Sequence, residues 1–569
     1  MENFFLDNED ILFQLEHMDL DRIISLREDD FKEAAEYPFA PVSIDDTKDS
    51  YNKVLSIIGE LCGEYLAPRA VEIDEEGVAL ENGEVRYAKG TREVLDLFAK
   101  ADLMGFSIPR KFGGLNFPSI ILTIAAEIVS RADASFLNFG LQQDIGETLN
   151  KFGSESQKAE ILPKLATGEY GSAMILTEPD AGSDLQAVNL KAHQDANGNW
   201  YLNGVKRFIT NGNGDVGLVL ARSEEDLSGA RGLSFFLYKR DEHMKIRRLE
   251  HKLGIHGSPT CELQFNNAPA TLVGERKRGL SKYTMWLMNS ARLGIAAQAA
   301  GIAEAAYREA RKYAQERIQF NHPIEEFPPI YEMLTEMKVA IEAGRALLYE
   351  TARFVDLKEG LEEMKEKYPE RAAEFKADLK KYSRLANLFT PMVKAYNTEM
   401  ANKAAYDAIQ IHGGTGYMHD FIVERLYRDA RITNIYEGTT QLQIVAAIGG
   451  VTSGTAASII DEYEQEDYSH VPELHETLRK AKFNFEKTLV GVKEVDKKDF
   501  ATYHSRRLVE MATDVIQGYL LLRDAKYSGR KKKVAEVFME KMDARIRANM
   551  SFILDEKGIL IDNYKDIIG

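Results

Sequence analysis

The hydrophobic period of the chain changes twice, and this limits what it can fold into. From Tyr51 to about Leu165, apolar residues recur every three or four positions, as in YNKVLSIIGELCGEYLAPRAVEI and REVLDLFAKADLMGF. That spacing predicts helices. Near Gly171 the period shortens. LVLAR, LSFFLYKR and CELQFNN read as short strands, and NWYLNGVKRFITNG places Asn-Gly between two alternating runs, a hairpin signal. From about Leu280 the helical spacing returns in LGIAAQAAGIAEAAYREARKYAQER and TEMANKAAYDAIQ. A length of 569 residues exceeds what one core can serve.

The predicted class is α+β: an N-terminal helical domain, a middle β domain, a C-terminal helical bundle and an extra C-terminal helical domain. The expected boundaries are 1–50 for a helical extension, 51–170 for the N-terminal helical domain and 171–275 for the β domain. The helical bundle is expected over 276–450 and a further helical extension over 451–569. In the first 50 residues, LDNEDILFQLEHM and LDRIISLREDDF carry acids in their first turns and read as two helices. The Glu- and Lys-rich run Asp356–Lys381 reads as a solvated helical excursion.

Charge narrows the function. Asp and Glu total 90 against 72 Lys and Arg, a formal charge of −18, which argues against nucleic acid or an anionic lipid surface as the main partner. The two cysteines, Cys62 and Cys261, exclude a disulfide framework, and the eleven histidines show no ligand spacing, so no metal is expected. MENFFLDNED lacks the basic and apolar regions of a signal peptide, SIILTIAAEIV is too short to span a bilayer, and YKDIIG is not a peroxisomal tripeptide. A cytoplasmic protein is expected.

Two motifs are rejected. Gly212, Gly214 and Gly217 satisfy G-x-G-x-x-G, but a strand follows where a dinucleotide site needs a helix, so NGNGDVG is expected to be a turn. HGGTG at His412–Gly416 has no G-x-S-x-G partner, which argues against a serine hydrolase. The loop ILTEPDAGSDLQAV offers hydroxyls and main-chain N–H groups near a glycine, a modest signal by itself. In ITNIYEGTTQLQ a single carboxylate, Glu437, precedes Gly438, either as an exposed turn residue or as a base.

Five blocks in order, LTEPDAGSD, NGVKRFITNG, ARKYAQERIQF, QIHGG and IYEGTTQLQ, resemble the acyl-CoA dehydrogenases over roughly residues 51–450. The flanking segments are similar only to longer members. The resemblance implies FAD at the junction of the β domain and the later helices. It implies that Met174, Leu176 and Thr177 line the flavin, that Ser183 lies near flavin and pantetheine, that Phe208 covers the ring and that Thr210 faces N5. Thr439 and Gln441 would touch the cofactor, while Arg317, Gln319, Phe320, Gln410 and Gly414 would reach the FAD of a neighbouring subunit. Asn289 and Arg292 fall at substrate-contact positions, with Ser183 and Gly438 also near substrate. Phe208 stands where many members have tryptophan, and Asn321 where glycine is usual in R-x-x-F-G.

The implied reaction takes two hydrogens from Cα and Cβ of an acyl-CoA thioester. It needs a base, support for the developing enolate oxygen and a hydride acceptor, flavin N5. Glu437 is the expected base, its pKa raised from about 4.3 by an apolar setting. Its main-chain N–H would polarise the thioester carbonyl, and Gly438 would let the backbone pass close to ligand. The earlier helix used for the base by some members offers Ser290 and Ala291 here. His251 and His256 read as loop or packing residues.

The resemblance implies electron-transferring flavoprotein as partner and, from the extension, a homodimer. An acyl-CoA oxidase and a non-catalytic scaffold member are the rival readings. A saturated short- or medium-chain acyl-CoA is the expected substrate, with chain length set by the region Phe136–Gln143. The basic amphipathic stretch GRKKKVAEVFMEKMDARIR lies where one long member type meets membrane, but it reads here as an ordinary surface helix.

Overall fold

The computed structural model describes residues 2–140, 143–555 and 558–569, so Leu141 and Gln142 of the chain-length region lie outside the described residues. Its helices are α1 (Glu9–His17), α2 (Asp21–Arg27), α3 (Ile44–Glu60), α4 (Ala70–Glu76), α5 (Lys89–Lys100), α6 (Ser119–Ala132), α7 (Ala134–Gly140), α8 (Asp144–Phe152), α9 (Glu155–Ala166) and α10 (Met285–Glu316). They continue as α11 (Pro328–Lys367), α12 (Ala372–His412), α13 (Val423–Thr433), α14 (Thr440–Thr452), α15 (Thr455–Glu464), α16 (Pro472–Glu494), α17 (Phe500–Asp524), α18 (Gly529–Asp555) and α19 (Ile559–Ile568). A small hairpin, β1 (Ala79–Glu81) and β2 (Glu84–Arg86), precedes the main strands β3 (Ser172–Ile175), β4 (Lys191–Gln194), β5 (Trp200–Thr210), β6 (Val216–Arg222), β7 (Leu233–Lys239), β8 (Met244–Leu249) and β9 (Thr260–Leu272). A second hairpin, β10 (Ile318–Gln319) and β11 (His322–Pro323), follows α10. The chain divides into two compact units, Met1–Ala305 with His419–Thr433, and Ala306–Met418 with Asn434–Gly569.

In the first unit, β4, β5, β9, β7 and β6 pair in sequence around a ring, with β3 added parallel to β6 and β8 antiparallel to β9. Inward residues such as Leu202, Val219, Phe236, Leu263 and Phe265 form one apolar core. Closing the sheet on itself removes edges that would otherwise expose unpaired main-chain groups. NGNGDVG is the turn from β5 to β6, as expected from the strand that follows it.

Two local expectations fail. Asn203-Gly204 is not a hairpin turn. β5 runs through it, and the pairing with β9 shifts between Leu202 and Gly204. The Asn203 amide donates to Asn267 Oδ1 at 2.9 Å, and its oxygen accepts from the Asn267 N–H at 2.8 Å. The irregularity is thus absorbed inside the sheet by an Asn267 bulge (φ 50°). The reversal comes earlier, over Asp195–Asn199, where the Asp195 carboxylate accepts from the N–H groups of Asn197 and Asn199. The second helix of the N-terminal extension stops at Arg27 instead of continuing through Phe31. Asp29, Asp30 and Phe31 take φ of 44°, 53° and 64° there. Beside this break, buried Glu28 receives two bonds from Arg110, at 2.7 and 2.9 Å, so a tertiary ion pair overrides the helical pattern.

The second unit is helical. α11 and α12 are 40 and 41 residues long; the Glu- and Lys-rich run covers their tips, exposed over most of 365–381 as expected, while Asp356, Leu357, Leu361 and Met364 are buried. Of the basic residues of α18 only Lys531 is buried, and four of them pair with acids of neighbouring helices. Arg530 and Lys531 meet Glu342 of α11, Lys541 meets Glu336, and Arg545 meets Asp514 of α17. Among the described residues no single helix is long and apolar enough to cross a membrane.

Candidate active site

The residues singled out from the sequence fall into both units. In the first, the TEPDAGSD loop leaves β3 and packs back on β5. Lys206 of β5 is fully buried; its ammonium meets Glu178 at 2.9 Å and donates to the Leu176 carbonyl at 2.6 Å. Burial lowers the Lys206 pKa to about 8, against the pull of Glu178. The Glu178 carboxylate also accepts from the N–H groups of Asn189 and Leu190, both at 2.8 Å. One ion pair therefore ties the start and the end of the loop to the barrel.

Directly after Lys206, β5 bulges. Pairing passes from Lys206–Leu263 to Ile209–Cys261, so Arg207 and Phe208 face Glu262 alone. The Arg207 N–H is aimed at the Thr177 carbonyl, 2.9 Å away. Phe208 adopts φ 59° and stays 53% exposed. A phenylalanine in the left-handed region is a strained conformation, and such strain gathers at functional sites. Thus Leu176, Thr177 and Phe208 are brought together, Thr210 closes the same strand, Ser183 is exposed on the loop, and Met174 is half-buried in β3. On α10, buried Arg292 donates to Asn289 Oδ1 at 3.1 Å, and the Ser290 hydroxyl donates to Glu147 at 2.9 Å.

In the loop from His251 to Ser258, His251 is exposed and His256 is packed against neighbouring residues. His256 faces Asp74 through Nδ1 and the Lys252 carbonyl through Nε2, both at 2.9 Å. Two acceptors require both ring nitrogens to carry hydrogen, and the Asp74 bond raises the His256 pKa. Asp74 also binds Arg428 of α13 at 2.6 Å. Next to it, buried Asp429 accepts from the Ile255 N–H at 2.5 Å, and its pKa is pushed up to about 6 by burial. A Cβ on Gly254 would lie 2.6 Å from the Arg428 carbonyl carbon, so this contact needs glycine.

In the second unit, β10 and β11 form a two-residue hairpin with Phe320 at φ 51° and Asn321 at φ 69°. The turn forms with asparagine in the glycine position, because asparagine tolerates the left-handed region. Phe320 is 87% exposed, and Arg317 and Gln319 are exposed beside it. Tyr313 stacks on His412 at 4.2 Å, which sets the end of α10 next to the corner carrying exposed Gln410 and Gly414.

Glu437 sits between α13 and α14 at φ 54°, followed by Gly438 at φ 91°. Thr439 caps α14 by accepting from the Leu442 N–H, and Gln441 is exposed two residues on. Three residues of the turn's support went unmarked in the sequence. Lys394 donates to the Gly438 carbonyl at 2.7 Å, Gln443 donates to the carbonyls of Glu437 and Gly438, and Glu399 accepts from the Thr440 hydroxyl at 2.7 Å. The available signal was a lysine inside the apolar run LFTPMVKAY, just as Lys206 interrupts a strand.

The fit to a flavin is physical. A half-exposed aromatic face held in a strained bulge, with hydroxyls at Thr177, Ser183 and Thr210, suits a planar polar ring. Comparison with known proteins agrees. The acyl-CoA dehydrogenase N-terminal, middle and C-terminal domain families match residues 51–169, 173–268 and 278–448, and a further acyl-CoA dehydrogenase C-terminal family matches 452–557. The chain belongs to the acyl-CoA dehydrogenase family and is an oxidoreductase of the kind acting on CH–CH groups.

It is 37% identical over 438 residues to 3-methylmercaptopropionyl-CoA dehydrogenase of Ruegeria pomeroyi, covering 72% of this chain and 71% of that one. The butyryl-CoA dehydrogenase structure from Megasphaera elsdenii superposes with a TM-score of 0.60 at 29% identity, covering 71% of this chain and 98% of that one. An acyl-CoA dehydrogenase complexed with FAD from Bacillus anthracis shares the fold more completely, with a TM-score of 0.75 at 23% identity over 91% and 90% of the two chains.

Proposed function

We propose that the protein dehydrogenates an acyl-CoA thioester to the trans-2-enoyl-CoA, with Glu437 as the base. The observation that carries this is the backbone of Glu437, a non-glycine residue kept at φ 54° by buried donors to its own and the next carbonyl. An exposed turn residue has no need of such support.

In this reading the Glu437 carboxylate takes the α-proton, and its main-chain N–H steadies the charge growing on the thioester oxygen. FAD, when bound, supplies N5 as the acceptor for the hydride leaving Cβ. Met174, Leu176, Thr177, Phe208 and Thr210 hold and cover the ring; Ser183, Asn289 and Arg292 orient the thioester. Thr439 and Gln441 complete the cofactor contacts. Exposed Arg317, Gln319, Phe320, Gln410 and Gly414 serve the FAD of a second subunit, and the C-terminal extension favours a homodimer. Electron-transferring flavoprotein is the proposed acceptor, and a short- or medium-chain acyl group the proposed substrate. The pairing of Arg530 and buried Lys531 of α18 with Glu342 of α11 supports a packing role for the extension.

The test is anaerobic titration of the purified flavoprotein with butyryl-, octanoyl- and palmitoyl-CoA. Bleaching of the flavin band by one of them, lost in Glu437→Gln, is expected. A Glu437→Gln protein that bleaches as fast as wild type would remove Glu437 from the mechanism. Rapid reoxidation by air would favour the oxidase reading, and a purified protein without flavin the scaffold reading.

A further inference from the structure

The Glu437 turn is held from behind by side chains that do no chemistry. Its two carbonyls converge on the interior: Gln443 Nε2 lies 3.1 Å from the Glu437 oxygen and 2.9 Å from that of Gly438, and Lys394 Nζ lies 2.7 Å from the latter. Lys394 and Gln443 are both 0% exposed. The ends of the loop are tied separately. The Thr440 N–H donates to the Asn434 carbonyl at 3.1 Å, and Glu399 takes the Thr440 hydroxyl at 2.7 Å.

Taking an ammonium out of water is costly unless polar partners compensate it. Lys394 stands among Met392, Val393 and Ala395, where a methionine would pack as well. What the charge adds at this position is a grip on the catalytic turn. A left-handed glutamate persists only where its surroundings over-determine it, and two carbonyls pinned inward keep the Glu437–Gly438 peptide from flipping.

We propose that Lys394 and Gln443 are positioning residues for α-proton abstraction, fixing the backbone from which the Glu437 carboxylate is presented. The proposal rests on Glu437 being the base. Lys394 also sets a positive charge behind that base, whereas Gln443 supplies geometry without charge. The two residues therefore separate the two effects.

The experiment compares Lys394→Met, Lys394→Arg, Gln443→Leu and Glu437→Gln as FAD-loaded proteins, with kcat, KM, its pH profile, flavin content and melting temperature measured for each. Lys394→Met is expected to lower kcat about 100-fold, the scale of a small misplacement of a reacting group. KM should change less than about threefold and flavin content should hold, since ground-state binding is untouched. The acid limb of kcat should move up by about half a pH unit or more on losing a nearby cation. Lys394→Arg should recover at least about tenfold of the loss, because a donor returns. Gln443→Leu should lower kcat similarly with the acid limb unmoved.

Unchanged kcat in Lys394→Met and Gln443→Leu, beside an inactive Glu437→Gln, overturns the positioning role alone. So does a loss of activity that only tracks flavin content and melting temperature. Full activity in Glu437→Gln overturns the base assignment, and the positioning role with it. If Lys394→Met does not fold, Gln443→Leu decides: wild-type kcat overturns the proposal, and the expected fall at constant flavin content upholds it.

Discussion

Lys206 in the first unit and Lys394 in the second are both fully buried, and each gives its ammonium to a main-chain carbonyl of a candidate-site loop, Leu176 at 2.6 Å and Gly438 at 2.7 Å. The loops differ in what else they offer. Lys206 meets a buried carboxylate, Glu178, which in turn organises two further N–H groups. The Gly438 carbonyl has a second donor in neutral Gln443. Removing the first lysine strands a buried charge, while removing the second leaves its carbonyl still bonded. The same device should therefore govern stability in one loop and catalytic geometry in the other.

The largest expected effect tests the stability half of that contrast. Lys206→Met should cost about 3–5 kcal/mol in a denaturant titration, the usual result of orphaning a buried ion. Lys206→Met/Glu178→Gln should recover at least half of it. A single variant as stable as wild type would mean that Glu178 finds another partner, and the contrast would fail.

Next in size is a loss that touches neither lysine. Gly254→Ala should destabilise the first unit by about 1–3 kcal/mol, because the added methyl meets the Arg428 carbonyl. FAD affinity of the folded fraction should stay at the wild-type value. A fall in FAD affinity would show that destabilising the first unit is enough to disturb the site without touching the Lys206–Glu178 pair.

Smaller changes are expected from the strain that both loops carry. Phe208→Gly and Glu437→Gly each release a left-handed non-glycine residue, at φ 59° and 54°. Each should gain up to about 1 kcal/mol of apo-protein stability on thermal unfolding, less glycine's own entropy cost. The first should lose flavin and the second turnover. A gain in one loop only would show that the other conformation is not strained.

The smallest effect is a pH dependence. The folded-state pKa of His256 lies above its ordinary value because of Asp74. Its contribution is therefore complete below about pH 6.5 and is lost as pH rises through the raised folded value. Wild type should lose slightly more melting temperature than His256→Gln between pH 6 and pH 8. The difference should stay under about 1 kcal/mol, because the pair is partly exposed. An equal loss in both proteins would remove His256 from the stability balance of the first unit.

Much of the architecture was legible in the sequence, because periodicity follows directly from which face of an element is buried. The helical, β and helical order, the rejected nucleotide motif at Gly212–Gly217 and the exposed tips near Asp356–Lys381 all follow from local pattern. Local pattern failed where long-range contacts decided. Asn203-Gly204 carries turn chemistry, yet the partner strand bulged at Asn267 instead. The LREDDF segment carries helical spacing, yet Glu28 is claimed by Arg110, 82 positions away.

By itself, then, the sequence determined the order of helices and strands, the family and the candidate residues, since these rest on side-chain type and spacing along one chain. Only the tertiary structure decided how the candidate-site loops are held. The left-handed backbone at Phe208 and Glu437, the Lys206–Glu178 pair and the grip of Lys394 on Gly438 arise from groups far apart in sequence. Lys394 lies 44 positions from the carbonyl it holds. No local rule singles out a lysine for such a task. Burial raises the cost of leaving its charge unmatched, and the packed fold supplies the carbonyl that meets it.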